Sequence, residues 1–186
     1  WVLERKEQLG IRILNISVGA CSKRGMSENS ALVKGVNRAW DAGLVVVVAA
    51  GNNGPRTMSI TTPGISRKVI TVGCSDDDRE VLVGGNRMVD YSGRGPTAAC
   101  ICKPDLVAPG CSVVSCAGRA DKYTIKSGTS MSTPIVSGAT ALLLERYPDM
   151  TNKDVKLKLR ESCRDIGLPR NQQGWGLLDV EKLVSK

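Results

Sequence analysis

Histidine and phenylalanine are absent from the 186-residue chain, and tryptophan and tyrosine together supply only 3% of it. The first absence removes the side chain that most often serves as general base or metal ligand near neutral pH. A serine hydroxyl is a poor nucleophile without an adjacent base, so serine chemistry here needs a base from elsewhere. The second absence leaves Val, Ile, Leu and Ala to build the core, and continuous valine-rich runs are what strands buried on both faces look like. Long apolar runs are also missing. The longest, Leu44 to Ala50, is far too short to cross a bilayer, and no signal peptide is legible, so no membrane association is expected. There is no internal repeat, low-complexity tract or domain boundary, and the length suits one domain with a real core. The sequence opens on Trp1 inside a charged, helix-like segment, and a natural start is not expected among these residues.

The formal charge is +8, but the basic residues are scattered among acids, as in Lys153-Asp154 and Arg164-Asp165. No basic stripe with interleaved aromatics is present, so a solvated surface is expected and no nucleic-acid partner. Seven cysteines cannot all pair within one chain. Cys74, Cys111 and Cys116 lie in apolar, strand-like contexts where free cysteine acts as a small hydrophobe. Cys100 and Cys102 form a lone Cys-x-Cys, and zinc would need further ligands at suitable spacing, so no metal site is assigned. So many thiols point to a reducing, cytoplasmic compartment, with secretion as the alternative.

Strands and helices alternate along the chain. Trp1 to Gln8 reads as a helix and Ile11 to Ser17 as a strand. Ser30 to Ala42 has helical spacing, with Leu32, Val36, Ala39 and Trp40 on a shared side and Gly43 as a stop signal. Leu44 to Ala50 is a central strand by composition, and Val69 to Cys74 is a third. Asp76 to Val83 reads as a charged loop, and Pro104 to Gly110 as a connection. Ser112 to Cys116 and Lys122 to Lys126 are short strands around a Gly-Arg-Ala-Asp turn. Pro134 to Tyr147 is an apolar, buried helix. Thr151 with Asp154 forms a capping box for a helix ending near Cys163, and Gly174-Trp175-Gly176 turns into a terminal helix from about Asp179. This alternation is that of an α/β fold with a mostly parallel central sheet flanked by helices.

Gly128-Thr129-Ser130-Met131-Ser132-Thr133-Pro134 puts a serine at a Gly-marked turn before an apolar helical run. Taken alone, such a serine is an N-cap, and Gly51-Asn52-Asn53-Gly54 is a turn. Four other segments change that reading: Asn15-Ile16-Ser17-Val18-Gly19, Ala49-Ala50-Gly51-Asn52, Lys103-Pro104-Asp105-Leu106-Val107-Ala108-Pro109-Gly110 and Gly174-Trp175-Gly176-Leu177-Leu178-Asp179-Val180. Together and in this order, over essentially the whole chain, they resemble the C-terminal part of the catalytic domain of subtilisin-like serine peptidases, the subtilases. Ser92-Gly93-Arg94-Gly95-Pro96 is most similar to the bacterial intracellular or AprX-like group. Ile135 stands where the family often has a histidine other than the catalytic one.

The resemblance implies a partial three-layer fold lacking its N-terminal strands. Residues 1–186 would be the C-terminal portion of one catalytic domain, with the catalytic Asp and His ahead of Trp1. It implies Ser130 as nucleophile and Asn52 as oxyanion-hole donor. Ser17, Val18 and Gly19 would pair with an extended polypeptide substrate. Ala49, Ala50 and Gly51 would floor the primary specificity pocket, with its rim near Thr61 or Thr62. The small floor residues predict room for medium or large apolar side chains. The activity implied is serine endopeptidase hydrolysis through an acyl-enzyme, with residues 1–186 inactive on their own. No cofactor is expected in this chain, although calcium is expected in a full-length parent, and Asp105 is left unassigned. Loss of the N-terminal strands would expose Ile11 to Ser17 as a sheet edge and favour self-association. Two other readings stay open: a pseudopeptidase or peptide-binding module on the same fold, and a nucleic-acid binder using the net positive charge.

Overall fold

Leu44 to Ala50 carries no polar residue, and in the computed structural model, which describes residues 1–20, 28–118 and 122–185, its strand is buried at every position. The elements in chain order are α1 (Val2–Arg5), β1 (Ile13–Ile16), α2 (Ala31–Asp41), β2 (Val45–Ala49), β3 (Ile70–Cys74), β4 (Val81–Val83) and β5 (Asn86–Met88). They continue with β6 (Leu106–Ala108), β7 (Val113–Cys116), β8 (Tyr123–Lys126), α3 (Thr129–Arg146), α4 (Asn152–Ser162), α5 (Arg170–Gln173) and α6 (Val180–Val184). The sheet has four parallel strands in the order β1-β2-β3-β6. Parallel neighbours need crossovers, and α2 makes the one between β1 and β2. Helix α3 lies across all four strands, α2 packs on β2, and α4 and α6 close on each other. Val36, Trp40, Val45 to Val48, Ile70, Val72, Leu106, Val136, Leu143 and Leu159 make one continuous core.

Local chemistry sets the helix starts. The Ser30 side chain accepts the Val33 N–H at the start of α2, and the Thr151–Asp154 capping box opens α4 as expected. With α2 phased from Ser30, its buried stripe is Val33, Val36, Ala39 and Trp40. Leu32, expected on that side, is 51% exposed, because it lies about 100° around the helix from Val33.

Three elements differ from expectation. Leu106 to Ala108 is the fourth sheet strand and not a connection: its two flanking prolines, Pro104 and Pro109, sit outside the ladder, where no N–H is needed. The segment read as a charged loop ends in β4, which pairs with β5 through Gly84 and Gly85, both at positive φ. Helix α3 starts at Thr129, upstream of Pro134, so Ser130 lies within its first turn. Cys116 is exposed and not buried, because the β7–β8 hairpin turns most of its residues to solvent. Cys21 and part of the Gly-Arg-Ala-Asp turn lie outside the described residues. Among the described strands β1 pairs only with β2, so it forms the expected edge, with Ile13, Leu14 and Ile16 partly buried. Among the described residues no helix is long and apolar enough to cross a membrane.

A buried ion cluster ties β6 to α4. The Lys103 ammonium, on a residue only 1% exposed, donates to the Asp105 carboxylate at 2.5 Å and to the Val69 carbonyl at 3.1 Å. Lys156 donates to the carbonyls of Arg67, Lys68 and Val69 and lies 3.6 Å from the other Asp105 oxygen. Burial depresses the Lys156 ammonium from 10.5 to about 8, against the opposing pull of Asp105. A lysine depressed in this way binds fewer protons folded than unfolded between those two values, so its contribution to stability rises with pH there. The unfolding free energy of the native protein, measured relative to Lys156→Met, is expected to increase from about pH 8 to 10.5. A difference independent of pH over that window would contradict this.

Candidate active site

Gly128 precedes α3 with φ 135°, a conformation that side chains rarely adopt. Its carbonyl accepts the Met131 N–H at 2.8 Å, and its own N–H donates to the Gly110 carbonyl at 2.9 Å. Ser130 is therefore the second residue of a helix whose first N–H groups lack intrahelical partners and whose positive dipole end faces outward. Pro134 has no N–H to return to the Ser130 carbonyl one turn earlier. The Ser130 Oγ is half-buried and donates to the Ser17 carbonyl at 2.8 Å.

Asn52 follows the C-terminal end of β2, where open α/β sheets collect ligands. Its Oδ1 accepts both the Thr129 N–H and the Thr129 hydroxyl, each at 3.0 Å. Only the oxygen of an amide accepts, so these two bonds fix which end of Asn52 is which and leave Nδ2 as the donor end. A Cβ on Gly128 would come within 3.2 Å of that Nδ2, so the amide group lies against the turn before Ser130. Thr129, fully buried, also accepts the Gly51 N–H at 3.2 Å. One hydroxyl thus ties the end of β2 to the start of α3. Sequence reasoning missed Thr129. The signal was its place between the glycine and the serine of the motif, where a buried hydroxyl needs partners on the neighbouring strand.

Ser17, Val18 and Gly19 leave the end of β1 beside this pair, and Ala20 forms an antiparallel bridge with Thr62. Ala49 and Ala50 are buried, and Gly51 has φ 93°. The space between the two strand ends is shared with Thr61, one of the two threonines expected at the rim. The Thr61 side chain stands in it: a Cβ on either Gly19 or Gly51 would collide with Thr61. Thr61 is locked there by its N–H and hydroxyl, which donate to the Ala50 carbonyl at 2.8 and 3.2 Å. So Ser130, Asn52, Ser17 and Gly51 converge on one spot, with Val18 and Gly19 exposed alongside and Ala49 and Ala50 beneath. The site presents a serine hydroxyl, two N–H donors and an exposed strand end, and no side chain in the chain's sequence supplies an imidazole.

Calcium does not fit Asp105. One oxygen takes Lys103 and the Thr71 N–H, the other faces Lys156, and two ammonium groups already supply the positive charge a cation would bring.

This architecture has clear relatives. The model of the subtilase family matches residues 2–176. The chain is 39% identical over 164 residues to the serine protease AprX of Bacillus subtilis, covering 81% of this chain and 37% of that protein. It is 34% identical over 181 residues to subtilisin DY of Bacillus licheniformis, covering 96% of this chain and 59% of that protein. Among solved structures, Sphericase superposes with a TM-score of 0.76 at 28% identity, covering 96% of this chain and 60% of that one. The chain thus spans well under two thirds of these relatives. With residues 2–176 of the chain matched by the family model and the serine motif set at a helix start beside Asn52, the chain belongs to the subtilase family.

Proposed function

We propose that this chain carries the nucleophile, the oxyanion hole and the substrate-binding edge of a serine endopeptidase, with the catalytic His and Asp supplied by residues outside 1–186. The observation that supports this most is the Asn52 amide, pinned by Thr129 so that its donor end lies against the turn before Ser130. In this reading Ser130 Oγ bonds to the scissile carbonyl carbon while its proton passes to the imidazole. Asn52 Nδ2 and the Ser130 N–H hold the oxyanion. The imidazolium gives the proton to the departing amine as the C–N bond breaks, and water then releases the acyl group by the reverse exchange. Residues 1–186 contain no histidine, so on their own they are proposed to be inactive. The six described cysteines are all free, which supports a reducing, cytoplasmic setting.

The test is pre-steady-state hydrolysis of an activated peptide ester by the whole protein. One equivalent of leaving group per chain should be released in a burst, because an acyl-enzyme accumulates, and Ser130→Ala should show none. A linear time course in the native protein, with steady hydrolysis retained in Ser130→Ala, would overturn the proposal.

A peptide-binding role without catalysis is the second reading, favoured by the Ser130 hydroxyl resting on a carbonyl that cannot take its proton. It predicts micromolar peptide binding with no burst at all.

Thr61 sets the size of residue accepted before the cleaved bond. Small side chains are expected there, and Thr61→Gly should shift preference toward bulky apolar ones by roughly 10-fold or more in kcat/KM, since a few methylene-sized gaps are worth 1–3 kcal/mol. An unchanged profile across a library of peptides would contradict this.

A further inference from the structure

A knot of polar side chains lies directly behind the candidate active site and takes no part in it. Cys74, at the end of β3, is 1% exposed, and its Sγ lies 3.1 Å from Asp76 Oδ1. The fully buried Tyr91 phenol stands 3.2 Å from the sulfurs of both Cys74 and Cys111 and donates to the Gly110 carbonyl. Asp76 Oδ1 also accepts the N–H groups of Gly110 and Cys111, at 2.7 and 3.1 Å, which fixes the carboxylate in place. The ligand atoms of Cys74, Asp76 and Cys111 all lie within 4.8 Å of one another. Nearby, the Ser132 hydroxyl is buried with no hydrogen-bond partner. It and the Cys74 sulfur both crowd the position of a Cβ on Gly110.

We propose that Cys74, Cys111 and Asp76 bind a soft divalent cation of the zinc or cadmium type, with the Tyr91 oxygen in the fourth position. Two thiolates and a carboxylate form a zinc-type donor set. Loading is an exchange on the hydrated ion: its waters leave, two S–H bonds break, two metal–sulfur bonds form, the Asp76 carboxylate and the Tyr91 phenol oxygen add as donors with the phenol keeping its proton, and two protons leave to solvent with no change of oxidation state. Tetrahedral bonds of ordinary zinc length would set sulfur and oxygen roughly 3.6 Å apart. The Cys74–Asp76 pair, at 3.1 Å, and the two Tyr91–sulfur pairs, at 3.2 Å, must therefore each open by about half an ångström. Asp76 and Cys111 are only half-buried, which gives the entry path, and the Cys111 side chain can move outward to widen the cluster. The site does not depend on the peptidase reading.

The test uses the whole protein with Cys21, Cys100, Cys102 and Cys116 changed to serine and the partly buried Cys163 to alanine, so that thiols of this chain outside the cluster do not compete. Cadmium is titrated under a phosphine reductant. The expected result is an ultraviolet thiolate-to-cadmium charge-transfer band that saturates at one metal per chain, with two protons released per metal. Asp76→Asn should keep the band but weaken binding about 10-fold or more. Cys111→Ser, at a half-buried position, should keep the fold by circular dichroism, halve the band and weaken binding further. Absence of the band, or a band of full size in folded Cys111→Ser, would overturn the proposal. So would a Cys74–Cys111 disulfide that persists under the reductant.

Discussion

Changing Ser130 to alanine in the whole protein is expected to lower kcat by about 10⁶ while leaving KM within a few-fold. That magnitude is the one established for the nucleophile of subtilisin itself and is adopted from that relative. The structural reason for expecting it here is that nothing else at the site can replace the hydroxyl. Other hydroxyls nearby are committed: Thr129 bridges Gly51 and Asn52, Thr133 donates to the Thr129 carbonyl at 2.7 Å, and the Ser17 hydroxyl accepts from the Asn15 amide at 3.0 Å. Ser132 points away into the buried side of the helix beside Gly110. KM should hold because the proposed substrate contacts, Ser17 to Gly19 and the surroundings of Thr61, do not lean on the Ser130 side chain except through one hydrogen bond to Ser17. Peptide hydrolysis by purified Ser130→Ala within 100-fold of the native rate would remove Ser130 from the chemistry.

The second large effect concerns how the oxyanion donor is held. Asn52→Ala should lower kcat by roughly 10²–10³ with KM little changed, the magnitude known for the corresponding asparagine of subtilisin. Thr129→Val is more particular to this structure. It keeps the shape of the side chain but removes the hydroxyl that donates to Asn52 and accepts from Gly51. Thr129 is a positioning residue, so its loss should appear as a smaller fall in kcat of about 10-fold. That fall should be largely absent when Asn52 is already alanine, because residues acting through one another are not additive. A double variant in which the two losses multiply would show that Thr129 acts by some other route.

The fold was legible where local chemistry agrees with burial. Leu44 to Ala50 reads as a doubly buried strand because every residue is apolar, and Ser30 and the Thr151–Asp154 pair mark helix starts through caps that need only neighbouring residues. The fourth sheet strand was hidden because three residues between prolines carry no periodicity, and its place is fixed only by pairing with β3. The β4–β5 hairpin did leave a signal, Gly84-Gly85, but charged neighbours masked it. At the site, Ser130 and Asn52 could be named from motifs. Thr129 could not, because its role lies in contacts with Gly51 and Asn52, 78 and 77 positions away, and Thr61 could be placed only as one of two rim threonines, because its contacts with Gly19, Ala50 and Gly51 are made by the fold. Small residues at Ala49 to Gly51 read as an open floor, whereas the structure sets the Thr61 side chain against Gly51.

The account rests on Ser130 being the nucleophile and on its base coming from outside residues 1–186. Labelling with a fluorophosphonate, located by peptide mapping, tests both at once. The label is expected on Ser130 in the whole protein, to vanish in Ser130→Ala, and to be slower by at least about 10³ in residues 1–186 alone. Labelling that persists in Ser130→Ala, or that proceeds equally fast in residues 1–186, would contradict it.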